Sequence, residues 1–280
     1  MVPSIARLTE FADRLAREVG AEIQRDFATV VPEIKPDGSL VTKADRFADA
    51  KLRDAIRAEF PDHGILTEEG NRTLPDTDFC WIVDPIDGTT NFTRSVPVWG
   101  VSLGVLYRGT PVFGLVYFPP LGQSFSGSYP GESGLDLPIA ATLNGEPIRV
   151  CQDAIDGQHF FSVCTRSVDR VVHPMPCKIR MLGASTYNFL TVALGSCLGA
   201  IEATPKIWDI AAVWPIVRAS GAQWLFLDAA GEPIERFPLR PNRDYTEEKF
   251  PALALAKSEF FATFAARLKL ASIAGQSIAG

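Results

Sequence analysis

The sequence has no paired cysteines or clustered histidines of the kind that bind zinc. Its five cysteines include no Cys-x-x-Cys pair, their number is odd, and its three histidines are scattered along the chain. These patterns indicate neither a disulfide framework nor a zinc site, and we interpret the cysteines as small buried apolar residues. We therefore expect any metal site in this protein to be built from oxygen ligands.

Excess positive charge and long apolar runs are also missing. The formal net charge is −6, which gives no electrostatic footprint for nucleic acid or an anionic membrane. No apolar run approaches the roughly 20 residues that a membrane-spanning helix requires, and residues 1–24 lack the apolar segment of a signal peptide. We expect a cytoplasmic protein with no nucleic-acid or membrane partner.

The chain does contain enough apolar residues for a large core, because 46% of its 280 residues are hydrophobic. Helical and strand-like patterns alternate in blocks, which predicts a layered α/β or α+β fold. We interpret residues 1–280 as one domain whose two lobes meet near residue 150. The predicted helices cover residues 5–23, 44–60, 185–198, 209–221 and 260–270. The predicted strands cover residues 64–67, 79–84, 98–107, 112–118, 124–128, 159–164, 179–182, 199–203 and 224–227, while residues 129–144 are expected to loop outward.

The segment 81–92, Trp-Ile-Val-Asp-Pro-Ile-Asp-Gly-Thr-Thr-Asn-Phe, carries the strongest indication of chemistry. Asp84 and Asp87 follow a strand-like apolar run, and Pro85 and Gly88 favour a rigid turn there. Amide groups and hydroxyls follow at Gly88 and Thr89. Carboxylates beside such donors suit a hard cation and a phosphate together. The alternative is a surface turn rich in Asp, Pro and Gly.

Three further acidic segments accompany this one. Asp45 begins the second predicted helix, where it would also complement the helix dipole. Glu68 and Glu69 end a predicted strand. A bound cation would relieve the repulsion between their charges. The alternative is that both side chains are simply solvated. Asp209 stands where a helix N-cap is an equally good interpretation.

These four segments, in this order, resemble the inositol monophosphatase superfamily of metal-dependent, lithium-sensitive phosphatases. Segment 84–92 matches the first signature of the superfamily, and segment 208–222 matches the second. Segments 40–45 and 67–69 match its shorter upstream motifs. The resemblance spans nearly the whole chain. It implies an αβαβα layered sandwich of the type shared with fructose-1,6-bisphosphatase, and a homodimer.

The resemblance also implies two Mg²⁺ sites. Glu68, Asp84 and the backbone carbonyl of Ile86 would bind one ion, and Asp84, Asp87 and Asp209 would bind a second. A weaker third ion can lie near Glu68, held mainly by water. A few carboxylates, a carbonyl and retained waters are what Mg²⁺ requires.

Substrate and water contacts are implied by the same resemblance. The amides of Gly88 and Thr89 would hold the phosphate, together with Asp87 and with Lys35 nearby. Thr89 and Asp45 would orient or deprotonate the attacking water, and Glu69 would support them. The expected reaction is Mg²⁺-dependent hydrolysis of a small phosphate monoester by metal-activated water.

The substrate itself is less sharply indicated. Glu202 matches the position that binds an inositol hydroxyl, which favours inositol 1-phosphate or a related polyol phosphate. Segment 35–42 and Pro215 resemble the histidinol-phosphatase branch instead. Pro215 is expected to kink the later turns of the helix that starts at Asp209, and segment 219–222 departs from the usual second signature. A regulatory or RNA-associated binding protein on the same fold is the alternative from a different class.

Overall fold

The computed structural model describes residues 3–36, 38–234 and 239–274, so Asp37 of segment 35–42 lies outside the described residues. The helices are α1 (Ile5–Ile23), α2 (Lys43–Glu59), α3 (Thr89–Thr93), α4 (Ser185–Ala193), α5 (Ile207–Ile210), α6 (Val213–Ala219), α7 (Phe261–Ala265) and α8 (Leu270–Ala274). Across the described ranges, no helix combines the length and apolar character needed to cross a membrane.

Two large sheets and one small hairpin contain the strands. The strands are β1 (Glu33–Ile34), β2 (Leu40–Val41), β3 (Gly64–Thr67), β4 (Phe79–Asp87), β5 (Gly100–Tyr107), β6 (Thr110–Phe118), β7 (Gln123–Ser128), β8 (Ala140–Leu143), β9 (Glu146–Pro147), β10 (Phe160–Val163), β11 (Lys178–Arg180), β12 (Gly199–Glu202), β13 (Gln223–Leu227), β14 (Pro233–Ile234) and β15 (Ala252–Leu255). The first sheet has the order β3-β4-β5-β6-β7-β8-β9, and the second has the order β11-β10-β12-β15-β13-β14. Strand β4 pairs in parallel with β3 and antiparallel with β5.

Both faces of the first sheet are buried, because helices cover each of them. Helices α1 and α2 pack on the face that carries Trp81 and Val83. Helices α5 and α6 pack on the opposite face, in a core that includes Ile82 and Val116. Alternate residues of one strand point to opposite faces, so β4 supplies side chains to two cores.

The second sheet lies on the other side of the middle helices. In β10, the Ser162 hydroxyl donates to Asn188 Oδ1 of α4 at 2.7 Å, so this residue faces the middle layer. The neighbouring Phe161 therefore faces outward, where its ring centroid lies 4.5 Å from that of Phe264 in α7. The layers follow the order helix, sheet, helix, sheet, helix, and the predicted αβαβα sandwich is confirmed.

The prediction of one continuous helix over 209–221 is wrong. It is two helices, α5 and α6, separated at Ala211 and Ala212, and α5 begins at Ile207. Pro215 has no N–H to donate to the Ala211 carbonyl, and its ring would collide with that carbonyl in a continuous helix. Pro215 instead lies in the first turn of α6, where a missing donor is tolerated.

Other predicted helix and strand boundaries also differ from those in the structure. The helix predicted over 185–198 ends at Ala193, and the closing helix over 260–270 is two short helices, α7 and α8. The segment expected to loop outward contains β8. Strand β15 was not predicted, because Ala and Leu do not favour strands, yet all four of its residues are buried between β12 and β13.

Two glycines of the first sheet allow the α5–α6 connection to approach it closely. A Cβ added to Gly114 would lie 1.8 Å from the carbonyl oxygen of Ala212, and one added to Gly104 would lie 2.8 Å from the carbonyl carbon of Ala211. Both contacts are with backbone, which cannot rotate away. The absence of side chains at these positions lets the segment that carries Asp209 rest on β5 and β6.

We expect Gly114→Ala to destabilise the protein by roughly 1–3 kcal/mol or more, because overpacking forces the backbone to shift. Urea unfolding followed by circular dichroism measures the loss. Gly157→Ala is the matched control, since a Cβ there meets nothing within 4 Å. Equal stability of the two variants would show that α5 and α6 do not depend on this close approach.

Candidate active site

Asp84 and Asp87 lie at the end of β4 and are buried, with 1% and 5% of their surfaces exposed. The strand continues through Pro85 to Asp87, so the turn expected at Pro85 lies later, at Gly88. The pairing of β4 with β5 shifts register between the two aspartates, as is typical of a bulge that redirects side chains. The amide of Ile86 donates to Asp84 Oδ1 at 3.0 Å and fixes this carboxylate.

Gly88 makes the turn between β4 and α3. Its φ is +85°, a conformation that favours glycine. A Cβ would also lie 3.0 Å from the Val98 carbonyl oxygen and 3.1 Å from the Ala184 Cβ. Glycine is therefore required here both by the backbone and by the available space.

Asp87 also connects the first sheet to the middle helices. Its two carboxylate oxygens accept hydrogen bonds from the amides of Ser185 at 3.2 Å and Thr186 at 3.0 Å, at the start of α4. The Thr186 hydroxyl donates to the same carboxylate. An acidic group is stabilised by the free amides of a helix N-terminus. No sequence pattern predicts this contact, since Ser185 and Thr186 are far from Asp87 along the chain.

Asp45 is buried and belongs to a capping box at the start of α2. Its Oδ2 accepts hydrogen bonds from the amide and hydroxyl of Thr42, at 2.7 and 2.6 Å. The other oxygen, Oδ1, accepts from the Thr89 hydroxyl at 3.2 Å, and that hydroxyl also lies 3.0 Å from the Ile86 carbonyl oxygen. Asp45 therefore has the helix-terminal role expected from the sequence and also contacts Thr89.

Glu68 and Glu69 follow β3 and share one cation. The Lys35 ammonium lies 2.7 Å from Glu68 Oε1 and also pairs with Glu69. The Arg72 side chain donates to the backbone carbonyl of Glu68 at 2.7 Å. The Glu68 side chain is only 16% exposed, and after burial its charge is the next cause of the raised pKa of Asp84. The solvated alternative is therefore wrong for Glu68, which interacts with Lys35 and influences Asp84 electrostatically.

Asp209 is the third residue of α5 rather than its N-cap, and its Oδ2 accepts from the Lys206 amide at 2.6 Å. One carboxylate oxygen from each of Asp84, Asp87 and Asp209 lies within 4.8 Å of the others. Oxygens that bind one Mg²⁺ at about 2.1 Å each are no more than about 4.2 Å apart. The three residues, from two layers of the fold, could therefore hold a divalent cation with small side-chain movements.

The electrostatics of this cluster favour a cation. Burial raises the pKa of Asp84 well above its usual range, and the charges of Glu68, Asp87 and Asp209 raise it further. Burial also raises the pKa of Asp209 well above its usual range, with Asp87 as the next contributor. Buried like charges repel each other, and a bound divalent cation would remove that repulsion. The donor set consists of oxygens, as the sequence predicted.

Glu202 ends β12 and is buried, with 3% of its surface exposed. Asn188 Nδ2 donates to its Oε1 at 2.5 Å, and the Ser185 hydroxyl donates to its Oε2 at 3.2 Å. Burial raises the pKa of Glu202 to about 7. Ser185 contacts both Glu202 and Asp87, so α4 fixes the position of Glu202 relative to the acidic cluster.

An αβαβα sandwich with buried carboxylates converging at the end of a central strand belongs to a class of phosphatases. The chain is a member of the inositol monophosphatase family, because the sequence model of that family matches residues 4–269. The family resemblance inferred from the motifs is therefore confirmed.

Curated relatives of this chain have several different functional names. It is 35% identical to "Inositol-1-monophosphatase" of Synechocystis sp. over 227 residues, which cover 76% of each chain. It is 32% identical to "Histidinol-phosphatase" of Chlorobaculum parvum over 197 residues, covering 67% of this chain and 72% of the relative. It is 30% identical to "Nus factor SuhB" of Salmonella typhimurium over 230 residues, covering 75% and 81%. The family is thus shared by proteins with distinct named roles.

A solved structure agrees with the fold. The IMPase of Thermotoga maritima superimposes with a TM-score of 0.77 at 26% identity, covering 98% of each chain. The layer order described above is therefore that of the family.

We expect the Glu202→Gln variant to lose part of the pH dependence of stability. The folded-state pKa of about 7 exceeds the ordinary value of 4.5, so the folded protein retains a proton that the unfolded chain has released. The contribution of Glu202 to stability therefore decreases as pH rises from about 4.5 to 7, by a few kcal/mol. Urea unfolding in EDTA at pH 5 and pH 8 measures this change. Identical pH dependence in the variant and the parent would contradict the assignment of a buried, titrating Glu202.

Proposed function

We propose that this protein hydrolyses a small phosphate monoester with Mg²⁺ as cofactor, and that inositol 1-phosphate or a related polyol phosphate is its substrate. The observation that carries the proposal is the convergence of Asp84, Asp87 and Asp209 beside the hydrogen-bonded pair of Thr89 and Asp45. We further propose that residues 1–280 act as one catalytic domain.

In this proposal, Glu68, Asp84 and the Ile86 carbonyl would hold one Mg²⁺, while Asp84, Asp87 and Asp209 would hold a second. A third ion near Glu68 would be held mainly by water. The effect of the Glu68 charge on the pKa of Asp84 supports the first set, and the 4.8 Å grouping supports the second. When bound, Mg²⁺ would make an attacking water more acidic and neutralise charge on the leaving oxygen.

Thr89 and Asp45 are arranged to guide a proton. Thr42 holds one oxygen of Asp45, which leaves the other in contact with the Thr89 hydroxyl at 3.2 Å. The Thr89 hydroxyl can therefore donate to Asp45 while it accepts a hydrogen bond from an attacking water. Burial raises the pKa of Asp45, and the charge of Glu69 adds to this effect, which brings the carboxylate closer to the range that suits a general base.

Lys35 supplies positive charge beside the carboxylates. Its ammonium contacts Glu68 and Glu69, and we propose that it supports the phosphate electrostatically together with the Thr89 and Gly88 amides. Asp87, a proposed metal ligand, directly precedes these amides along the chain. Asp87 thus lies at the junction of the proposed metal and phosphate contacts.

We expect activity to require Mg²⁺ and to be lost in EDTA. Ca²⁺ should inhibit because it is larger and accepts looser geometry. Asp84→Asn should lower kcat by at least roughly 10²-fold, the order of losing a main electrostatic stabiliser. Release of phosphate from inositol 1-phosphate measures both effects. Asp54→Asn is the matched control, because this aspartate lies on the exposed surface of α2, with a side chain that is 79% exposed.

Turnover that persists in EDTA, or an Asp84→Asn protein as active as its control, would contradict the proposed mechanism. Failure of the parent protein to hydrolyse any of a panel of phosphate monoesters in Mg²⁺ would favour a regulatory or RNA-associated role. The similarity to a Nus factor makes that class the main alternative, and RNA binding by the chain would be its direct test.

Substrate choice is proposed to depend on Glu202. Its carboxylate can accept hydrogen bonds from two vicinal hydroxyls of an inositol, and it can equally pair with the ammonium of histidinol phosphate. The orientation imposed by Asn188 and Ser185 holds this group rigidly. The similarity to a histidinol-phosphatase makes histidinol phosphate the second candidate substrate.

We expect Glu202→Gln to lower kcat/KM for inositol 1-phosphate by roughly tenfold, or about 1.4 kcal/mol, the order of one charged hydrogen bond. Glycerol 2-phosphate should be affected less, and it serves as the control substrate. Equal losses on both substrates would place Glu202 in support of the metal site. No loss on either would mean that specificity lies elsewhere, whereas a larger loss on histidinol phosphate would favour that substrate.

We also propose that the protein forms a homodimer, as the family resemblance implies. Light scattering at micromolar concentration tests this, because a mass near the 30.5 kDa of one chain would contradict it. Beyond the small-molecule substrate and a second copy, the proposal needs no nucleic-acid or membrane partner, and the acidic net charge of −6 supports this. A cytoplasmic location is proposed on the same sequence features.

A further inference from the structure

A second group of metal-binding side chains lies outside the proposed active site. Ligand atoms of Cys151, Asp153 and His159 lie within 4.8 Å of one another. All three belong to the segment that joins β9 to β10, and His159 directly precedes β10. The scattered cysteines and histidines of the sequence gave no such indication, because Cys151 and His159 match no common motif spacing.

The backbone around His159 is fixed on both sides. The His159 amide donates to Asp156 Oδ1 at 3.2 Å, and its carbonyl accepts from the Lys178 amide of β11 at 2.9 Å. The ring therefore extends from an anchored position at the edge of the second sheet. A ligand held in this way loses little conformational freedom when it binds an ion.

Asp156 also sets the orientation of the imidazole. Its Oδ1 lies 2.7 Å from His159 Nδ1, while Asp153 Oδ2 lies 3.4 Å from Nε2. When Nδ1 donates its proton to Asp156, the neutral ring has a lone pair at Nε2, on the side of Asp153. A carboxylate that orients a histidine through its second nitrogen is the usual arrangement at protein metal sites.

The donor types select the class of ion. Thiolate sulfur, imidazole nitrogen and carboxylate oxygen together suit Zn²⁺ and similar transition metals, whereas Mg²⁺ prefers oxygen alone. Nitrogen and oxygen ligands of tetrahedral Zn²⁺ are about 3.3 Å apart, close to the 3.4 Å between His159 Nε2 and Asp153 Oδ2. Three protein ligands would leave the fourth position to water.

We propose that Cys151, Asp153 and His159 form a binding site for Zn²⁺ or a similar transition-metal ion, with Asp156 as the residue that positions His159. Binding forms a metal–sulfur bond and releases the Cys151 thiol proton to water. The ion would cross-link residue 151 to residue 159 and fasten this segment to the start of β10. The site is independent of the proposed phosphatase reaction.

The simpler alternative is a surface ion pair, in which a protonated His159 lies between Asp153 and Asp156. Such a pair needs no thiol. Cys151 therefore distinguishes the two interpretations, and a measurement that reports on a metal–sulfur bond tests the proposal directly.

The experiment titrates Co²⁺ into the full-length protein with Mg²⁺ in large excess, so that the oxygen-rich site is occupied. We expect one Co²⁺ per chain, with thiolate-to-cobalt charge-transfer absorption in the near ultraviolet that Zn²⁺ abolishes by displacement. Cys151→Ser should remove this absorption. His159→Gln should weaken binding at least tenfold, and Asp156→Ala by about 10–100-fold, as is typical of a residue that orients a ligand.

His173→Gln is the matched control, because this histidine lies in another loop and should leave the titration unchanged. Thermal unfolding of each variant without added metal verifies that it is folded. Absence of a thiolate band in the parent protein, or its persistence in Cys151→Ser, would overturn the proposal. Phosphatase activity in Mg²⁺ is a separate readout, and we expect it to be unchanged in Cys151→Ser and His159→Gln.

Discussion

The repulsion among buried carboxylates is the constraint on which the rest of the site depends. Asp84, Asp87 and Asp209 are brought within 4.8 Å by elements from two layers. Each has a compensating donor: the Ile86 amide for Asp84, the start of α4 for Asp87, and the Lys206 amide for Asp209. These contacts hold the carboxylates without neutralising them, which leaves a strong requirement for a cation.

Helix α4 links this acidic cluster to Glu202, the proposed substrate contact. Its first turn donates to Asp87, and Ser185 and Asn188 donate to Glu202 on the second sheet. One short helix therefore fixes the carboxylates of both sheets relative to each other. A change in α4 would therefore alter the proposed metal site and the proposed substrate contact together.

The sequence predicted those site residues that lie at the ends of helices or strands and within recognisable motifs. The strand before Glu68 was placed correctly, whereas the strand before Asp84 continues to Asp87, so the turn predicted at Pro85 lies at Gly88. The break before Pro215 could not be located from its position alone, because the helix could have kinked at several residues. Contact of Ala212 with Gly114 is non-local, so the sequence pattern did not show where the chain would bend.

The sequence by itself determined the layered fold, the family and the oxygen-rich character of the acidic cluster, because hydrophobic periodicity and contiguous motifs are local properties. Only the tertiary structure decided which partners each carboxylate has, that Glu202 is buried beside Asn188, and that Cys151 lies near His159. The contacts of Asp87 with α4 join residues distant along the chain, whereas Cys151 and His159 lie in one connecting segment. Burial and the approach of separate segments set their charge and reactivity, and neither can be read from local spacing.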